Sequence, residues 1–180
     1  RYIGDIYISL DYLANFGKIP NKQWCSQNVQ FNNIPLSGTN NSDTQYYKFA
    51  YNGLLATQTI IAEGDERELN TPACDYCYGL TIENGENTYQ GYLPTLEQWK
   101  IAWQNISAVV DAVNTKYPDL NVSVNNYNGN KWTSTQSGAA DACRFATGVG
   151  NSVKSTSYLA IPFFACLSTS SSSLSLPKGK

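Results

Sequence analysis

Seven apolar residues, Leu96, Trp99, Trp103, Ile106, Val110, Val113 and Tyr117, follow one another at alternating steps of three and four. That spacing predicts one amphipathic helix of about six turns. Glu97, Lys100, Gln104, Ser107, Asp111 and Asn114 take the opposite side. Pro94 keeps the residue before it extended, Thr95 and Gln98 have the spacing of a capping box, and Pro118 marks the stop. Two tryptophans on one stripe need a broad apolar surface, which we expect to be a sheet.

Around this helix the pattern is shorter in range. Residues 2–8 mix apolar and β-forming side chains and predict a strand. Residues 15–45, rich in Asn, Gly, Pro and Ser, predict loops with apolar islands such as Val29-Gln30-Phe31. Residues 49–62 predict a modest helix weakened by Gly53. Thr71, Pro72 and Asp75 open a short one that Gly79 ends. After the long helix, strand-like runs cover 120–124, 131–135, 141–147 and 158–167, with turns at 125–129 and 148–151. In 141–147, alternation places Ala142, Arg144 and Ala146 on one face and Cys143, Phe145 and Thr147 on the other. Residues 168–180 are Ser-rich and read as a tail or linker. The class is α+β, with a single domain over 1–167.

The 180 residues are enough for one real core. Only 14% of them are charged; Asn, Ser, Thr, Gln and the 13 Tyr supply the polarity. A net charge of −2 gives no bulk attraction to nucleic acid or anionic lipid, and no apolar run reaches membrane-spanning length. Residue 1 is Arg and Met is absent, which reads as a mature or excised domain, and the low charge with abundant Asn, Thr and Tyr is typical of exported bacterial proteins.

The absence of histidine removes the commonest general base and the usual nucleophile dyads. Cys74-x-x-Cys77 lacks a second pair or a histidine to complete a zinc site. The two read first as small residues on a buried helix face, and second as partners for a strand cysteine. With five cysteines at least one is unpaired within the chain. Glu63-Gly64-Asp65-Glu66-Arg67-Glu68 reads as a charged surface loop without calcium-loop spacing. No cofactor or metal is expected. Trp99, Trp103 and Trp132 read as core. Trp24, Tyr46, Tyr47, Tyr76, Tyr89, Tyr92 and Tyr127 lie in loop-like stretches, either as a recognition surface or as scattered half-buried rings.

Four motifs, taken in order, carry a family resemblance. Gly91-Tyr92-Leu93-Pro94-Thr95-Leu96-Glu97-Gln98-Trp99 resembles the Leu-Pro-Ser/Thr helix start of bacterial C-type-lectin-like domains. Lys131-Trp132-Thr133-Ser134-Thr135 resembles the strand that follows it. Ala73-Cys74-Asp75-Tyr76-Cys77 is similar to the small helix before it, and Ile3-Gly4-Asp5-Ile6-Tyr7 to the opening strand. The closing strand is only echoed by Ala160-Ile161-Pro162-Phe163-Phe164. The resemblance implies two helices around a twisted antiparallel sheet, termini close together, and ligand binding by the loops of the C-terminal sheet. The family's calcium-dependent sugar motifs are missing, and the catalytic cysteine pair of the related formylglycine-generating enzymes has no counterpart.

The expectation is a non-enzymatic binding module of a bacterial surface, pilus-tip or secreted protein, part of a larger assembly. Its partner would be a protein or glycan receptor on a cell surface. The candidate contact residues are Tyr127, Asn128, Asn130, Trp132, Gln136, Arg144, Asn151 and Lys154. The alternatives are a receptor-binding domain of a phage or retroelement-diversified protein, a cysteine-dependent enzyme of the formylglycine-generating group, and a structural subunit that self-polymerises.

Overall fold

In a computed structural model that describes residues 5–37 and 44–167, the helices in chain order are α1 (Leu10–Ala14), α2 (Thr44–Ala50), α3 (Gly53–Glu66), α4 (Pro72–Tyr78), α5 (Leu96–Gln104) and α6 (Ile106–Lys116). The strands are β1 (Asn21–Gln23), β2 (Thr81–Asn84), β3 (Asn87–Tyr92), β4 (Lys131–Gln136), β5 (Asp141–Phe145), β6 (Val149–Val153), β7 (Ser157–Leu159) and β8 (Phe163–Leu167). The class is α+β. The Ser-rich stretch 168–180 and the first residues of the expected opening strand lie outside the described residues.

The capping box at the start of α5 forms as predicted. Thr95 Oγ1 accepts from the Gln98 N–H at 3.1 Å, and Gln98 Oε1 accepts from the Thr95 N–H at 3.0 Å. The same corner is bonded on every side. The Thr95 hydroxyl donates to the Ala50 carbonyl (2.6 Å), and the Thr57 hydroxyl both accepts from the Leu93 N–H (2.9 Å) and donates to the Leu93 carbonyl (3.2 Å). From β4, Thr135 Oγ1 accepts from the Leu96 N–H (2.9 Å) and the Ser134 N–H donates to the Pro94 carbonyl (2.8 Å). Thus two motifs about forty residues apart meet. Gly53 is a requirement of this corner, because a Cβ there would fall 2.5 Å from the Tyr92 ring.

The predicted long helix is broken at Asn105. Its side chain donates to the Ile101 carbonyl (2.9 Å), the acceptor its own N–H would take in a continuous helix. The displaced N–H turns to the Ala102 carbonyl at 3.0 Å. The apolar stripe survives the break: Leu96, Trp99, Val110 and Val113 are buried, and Trp103, Ile106 and Tyr117 are half-buried.

The sheet is also not the single antiparallel one expected. Five strands lie in the order β1-β7-β4-β5-β6, with β4 and β7 parallel; β2-β3-β8 form a separate antiparallel sheet. The predicted strand 158–167 is divided between them, with buried Ala160-Ile161-Pro162 at the crossing. Among the described residues of the expected strand at 2–8, the pairing is a single bridge, Tyr7 with Phe164, after which Ser9 caps α1. Run 120–124 is not a strand: Asn114 clamps both main-chain groups of Val122, and Val124–Tyr127 forms a 3-10 turn. The expected turn at 148–151 is instead most of β6.

The β4–β5 pair contributes to a core on each face, in line with the predicted alternation. Cys143 and Phe145 join the core under α1, α5 and α6, where Trp99 and Trp103 pack on Phe145. Ala142 and Trp132 join a second core with Trp24, Phe31, Ile60, Cys74, Cys77 and Leu93.

Thr95→Ala removes one helix cap and one tie to α2 together. We expect it to lower unfolding free energy by about 1–2 kcal/mol, read as a lower midpoint in urea with an unchanged slope. An unchanged midpoint would remove the corner from its central place.

Candidate functional site

The expected contact set divides on inspection. Trp132, Gln136 and Lys154 are fully buried and Tyr127 is 4% exposed, so these four act within the fold. Trp132 Nε1 donates to the carbonyls of Lys22 (2.9 Å) and Thr156 (3.1 Å). Gln136 pairs with the main chain of Phe31, accepting from its N–H (2.7 Å) and donating to its carbonyl (2.9 Å). The Tyr127 hydroxyl donates to the Leu13 carbonyl, and burial pushes it above the usual phenol range.

Lys154 is the least expected of these. Its ammonium donates to the carbonyls of Val29 (2.7 Å) and Ala139 (2.8 Å) and to Gln136 Oε1 (2.6 Å), under the rings of Trp24 and Phe31. Burial lowers it to about 8. Lys131 repeats the arrangement on the other face. It donates to the carbonyls of Tyr127 (2.6 Å), Gly129 (2.8 Å) and Ala146 (3.0 Å) against Trp99 and Trp103. Burial lowers it to about 7, while the carbonyls and ring faces favour the cation. Both lysines hold loops together from inside.

Asn128, Asn130, Arg144 and Asn151 remain accessible. Asn130 and Arg144 come together. Arg144 lies across β6, so close to Gly150 that a Cβ there would fall 2.5 Å from Nη1. Its Nε donates to Ser152 Oγ (2.9 Å), and Nη1 donates to Asn130 Oδ1 (2.9 Å). Ser152 Oγ and the Tyr158 hydroxyl are 3.0 Å apart. The guanidinium carbon is 5.9 Å from the Tyr158 ring centre, and that ring packs edge-on against buried Trp132 at 5.0 Å. A rigid floor therefore holds a half-buried patch of guanidinium, amide and two hydroxyls. Asn151 belongs elsewhere: its register partner is Cys143, so its side chain leaves the opposite face of the sheet.

Ser152, Gly150 and Tyr158 were absent from the expected set. Val149-Gly150-Asn151-Ser152-Val153 has strand alternation, but Gly150 and the preceding Gly148 read as turn punctuation.

Other candidate chemistry is internal. Glu63 is not on a surface loop but buried in α3, accepting from the N–H groups of Asn32 (2.8 Å) and Asn33 (2.7 Å) and paired with Arg67 (2.6 Å). Trp24 and Tyr92 are buried rather than on a recognition surface. All five cysteines are free thiols. Burial raises the pKa of Cys74, Cys77 and Cys143, which keeps them protonated. Among the described residues, no three His, Cys, Asp or Glu side chains gather as a metal site, and no helix is long and apolar enough to cross a membrane.

Comparison of the chain with models of known families, with curated protein sequences and with solved structures finds no match.

Two outcomes follow from these contacts. Lys154→Met strands several buried acceptors at once, and we expect a loss of about 2–4 kcal/mol in chemical denaturation. In a native thiol assay Cys166, the one partly exposed cysteine, reacts first; the other four react only on unfolding. Rapid native labelling of Cys74 or Cys77 would contradict the burial described.

Proposed function

We propose that this chain is a non-enzymatic recognition module with a C-type-lectin-like fold, acting in an exported or cell-surface protein. It binds a protein or glycan through the patch formed by Asn130, Arg144, Ser152 and Tyr158. The patch is the observation that carries the reading. Arg144 is fixed by two side-chain hydrogen bonds yet left partly open, on a floor of packed aromatic rings. Rigid rings with adaptable amides and hydroxyls suit binding at low entropic cost. The four side chains include no carboxylate, thiol or imidazole, so the patch orients a ligand without offering a strong general base.

Two further features support the fold assignment. The Leu93-Pro94-Thr95 corner bonds directly to the Ser134-Thr135 strand, the two motifs on which the resemblance rests. Tyr7 and Phe164 pair through both main-chain bonds (3.2 and 2.9 Å), which draws the early and late parts of the chain together.

A glycan array and a cell-binding assay, run with wild type and Arg144→Ala, test the reading. We expect Arg144→Ala to weaken binding by about 10–100-fold, the scale of a lost charge-assisted bond. Its thermal midpoint should stay near that of wild type. Binding that is unaffected in a folded Arg144→Ala protein would remove the patch from recognition.

A further inference from the structure

The strand β6 forms one edge of the five-stranded sheet, and this edge is unlike the others. The edge strand β1 carries Lys22, and β2 carries Glu83. The outer side of β8 is met by Tyr7. Charges and cover of this kind normally keep sheet edges from pairing with other chains. By contrast, β6 bears no charged residue, and Val149 and Val153 are 53% and 44% exposed.

The register shows what this edge offers. The Lys154 N–H donates to the Ala140 carbonyl (2.9 Å), and the Ala146 N–H to the Gly148 carbonyl (3.1 Å). In an antiparallel ladder hydrogen-bonded pairs alternate, so Gly150 and Ser152 turn their main-chain groups toward β5. The N–H and C=O groups of Val149 and Asn151 and the N–H of Val153 therefore point outward. The Val153 carbonyl accepts from the Thr156 N–H (3.0 Å) and keeps a second lone pair. Val149, Asn151 and Val153 also share one face, since their register partners are Phe145, Cys143 and Asp141.

We propose that two copies of this chain associate by pairing their β6 strands antiparallel about Asn151, joining their sheets into one. The strand is self-complementary in that register. Val149 of one copy faces Val153 of the other, Asn151 faces Asn151, and Gly150 faces Ser152. Asn151 exchanges both main-chain bonds with its symmetry mate, and the Val153 N–H donates to the other copy's Val149 carbonyl. A closed two-fold contact uses the same patch on each side, which this sequence supplies. Local charge does not oppose a second copy: the net charge of −2 is small, and no formal charge lies between 145 and 153. A strand of this length spans about 17 Å, well short of a standard interface, so the dimer is weak and reversible. Both Arg144 patches then lie on one side of the joined sheet, opposite the valines, which makes a two-site binder of modest single-site affinity.

The test combines sedimentation velocity with a designed crosslink. Wild type should show a sedimentation coefficient that rises from low micromolar to near-millimolar concentration. Val149→Lys should abolish that rise while the thermal midpoint stays close to wild type. In a Cys166→Ser background, Asn151→Cys places two Cα atoms about 5.5 Å apart across the axis, within disulfide reach. Mild oxidation should give a covalent dimer at least tenfold faster than Thr147→Cys at the neighbouring turn. A concentration-independent wild type, persistent association of Val149→Lys, or equal crosslinking at positions 147 and 151 would each overturn the proposal. The crosslink decides the matter even if Val149→Lys fails to fold.

Discussion

The structure depends on the main-chain bonding of three residues, Leu93, Pro94 and Thr95. They leave β3, turn and start α5, a place where buried N–H and C=O groups would go unpaired without help. Here Thr57 satisfies Leu93, Ser134 satisfies Pro94, and Gln98 satisfies Thr95. Each partner comes from a different element: α3, β4 and α5. One turn thereby fixes the relative positions of the helices and the central strand. The buried carbonyls leave little freedom to slide, because a shift of one residue would orphan several polar groups together.

From that corner the rest of the molecule follows as a two-sided construction. Strand β4 emerges with Lys131 toward one face, beside Phe145, and Trp132 toward the other, beside Arg144. The α5 and α6 helices close the first face, while α3, α4 and the 24–34 segment close much of the second. What α3, α4 and that segment leave uncovered on the second face is the strip where Arg144, Ser152 and Tyr158 meet. The candidate site is thus the remainder of an otherwise covered sheet, and its floor is rigid because the covered part is packed with tryptophan.

Much of this frame was legible in the sequence. The capping box, the apolar stripe, the short α4 helix with its buried cysteines and the alternation of β5 are local patterns with one physical reading. The break at Asn105 was not legible, because a side chain competing for an i−4 carbonyl does not disturb the spacing of apolar residues. The β2–β3 hairpin turns on the two-residue loop Gly85-Glu86, with Gly85 at positive φ, a short signal with no long apolar pattern beside it. Gly148 and Gly150 hid the strand β6. The contact set was misjudged for a different reason. Gln136 and Lys154 are polar and stand where expected strands and turns end, which reads as exposure, whereas Trp132 reads as core as well as contact. Their burial comes from long-range partners, Phe31 and Val29 among them, that no local pattern reveals. Arg144 and Asn130 were legible as accessible polar residues; their mutual contact was not.

The two buried ammonium groups have a consequence for how this chain can change over evolutionary time. Lys154 holds Val29, Gly138 and Ala139, and Lys131 holds Tyr127, Gly129 and Ala146, in each case by the carbonyl oxygen. Every amino acid supplies that atom. The loops are therefore fastened through the part of the chain that mutation does not alter, and their outward side chains are left free to be rewritten. Such a fastening lets a surface diversify while its backbone stays in place.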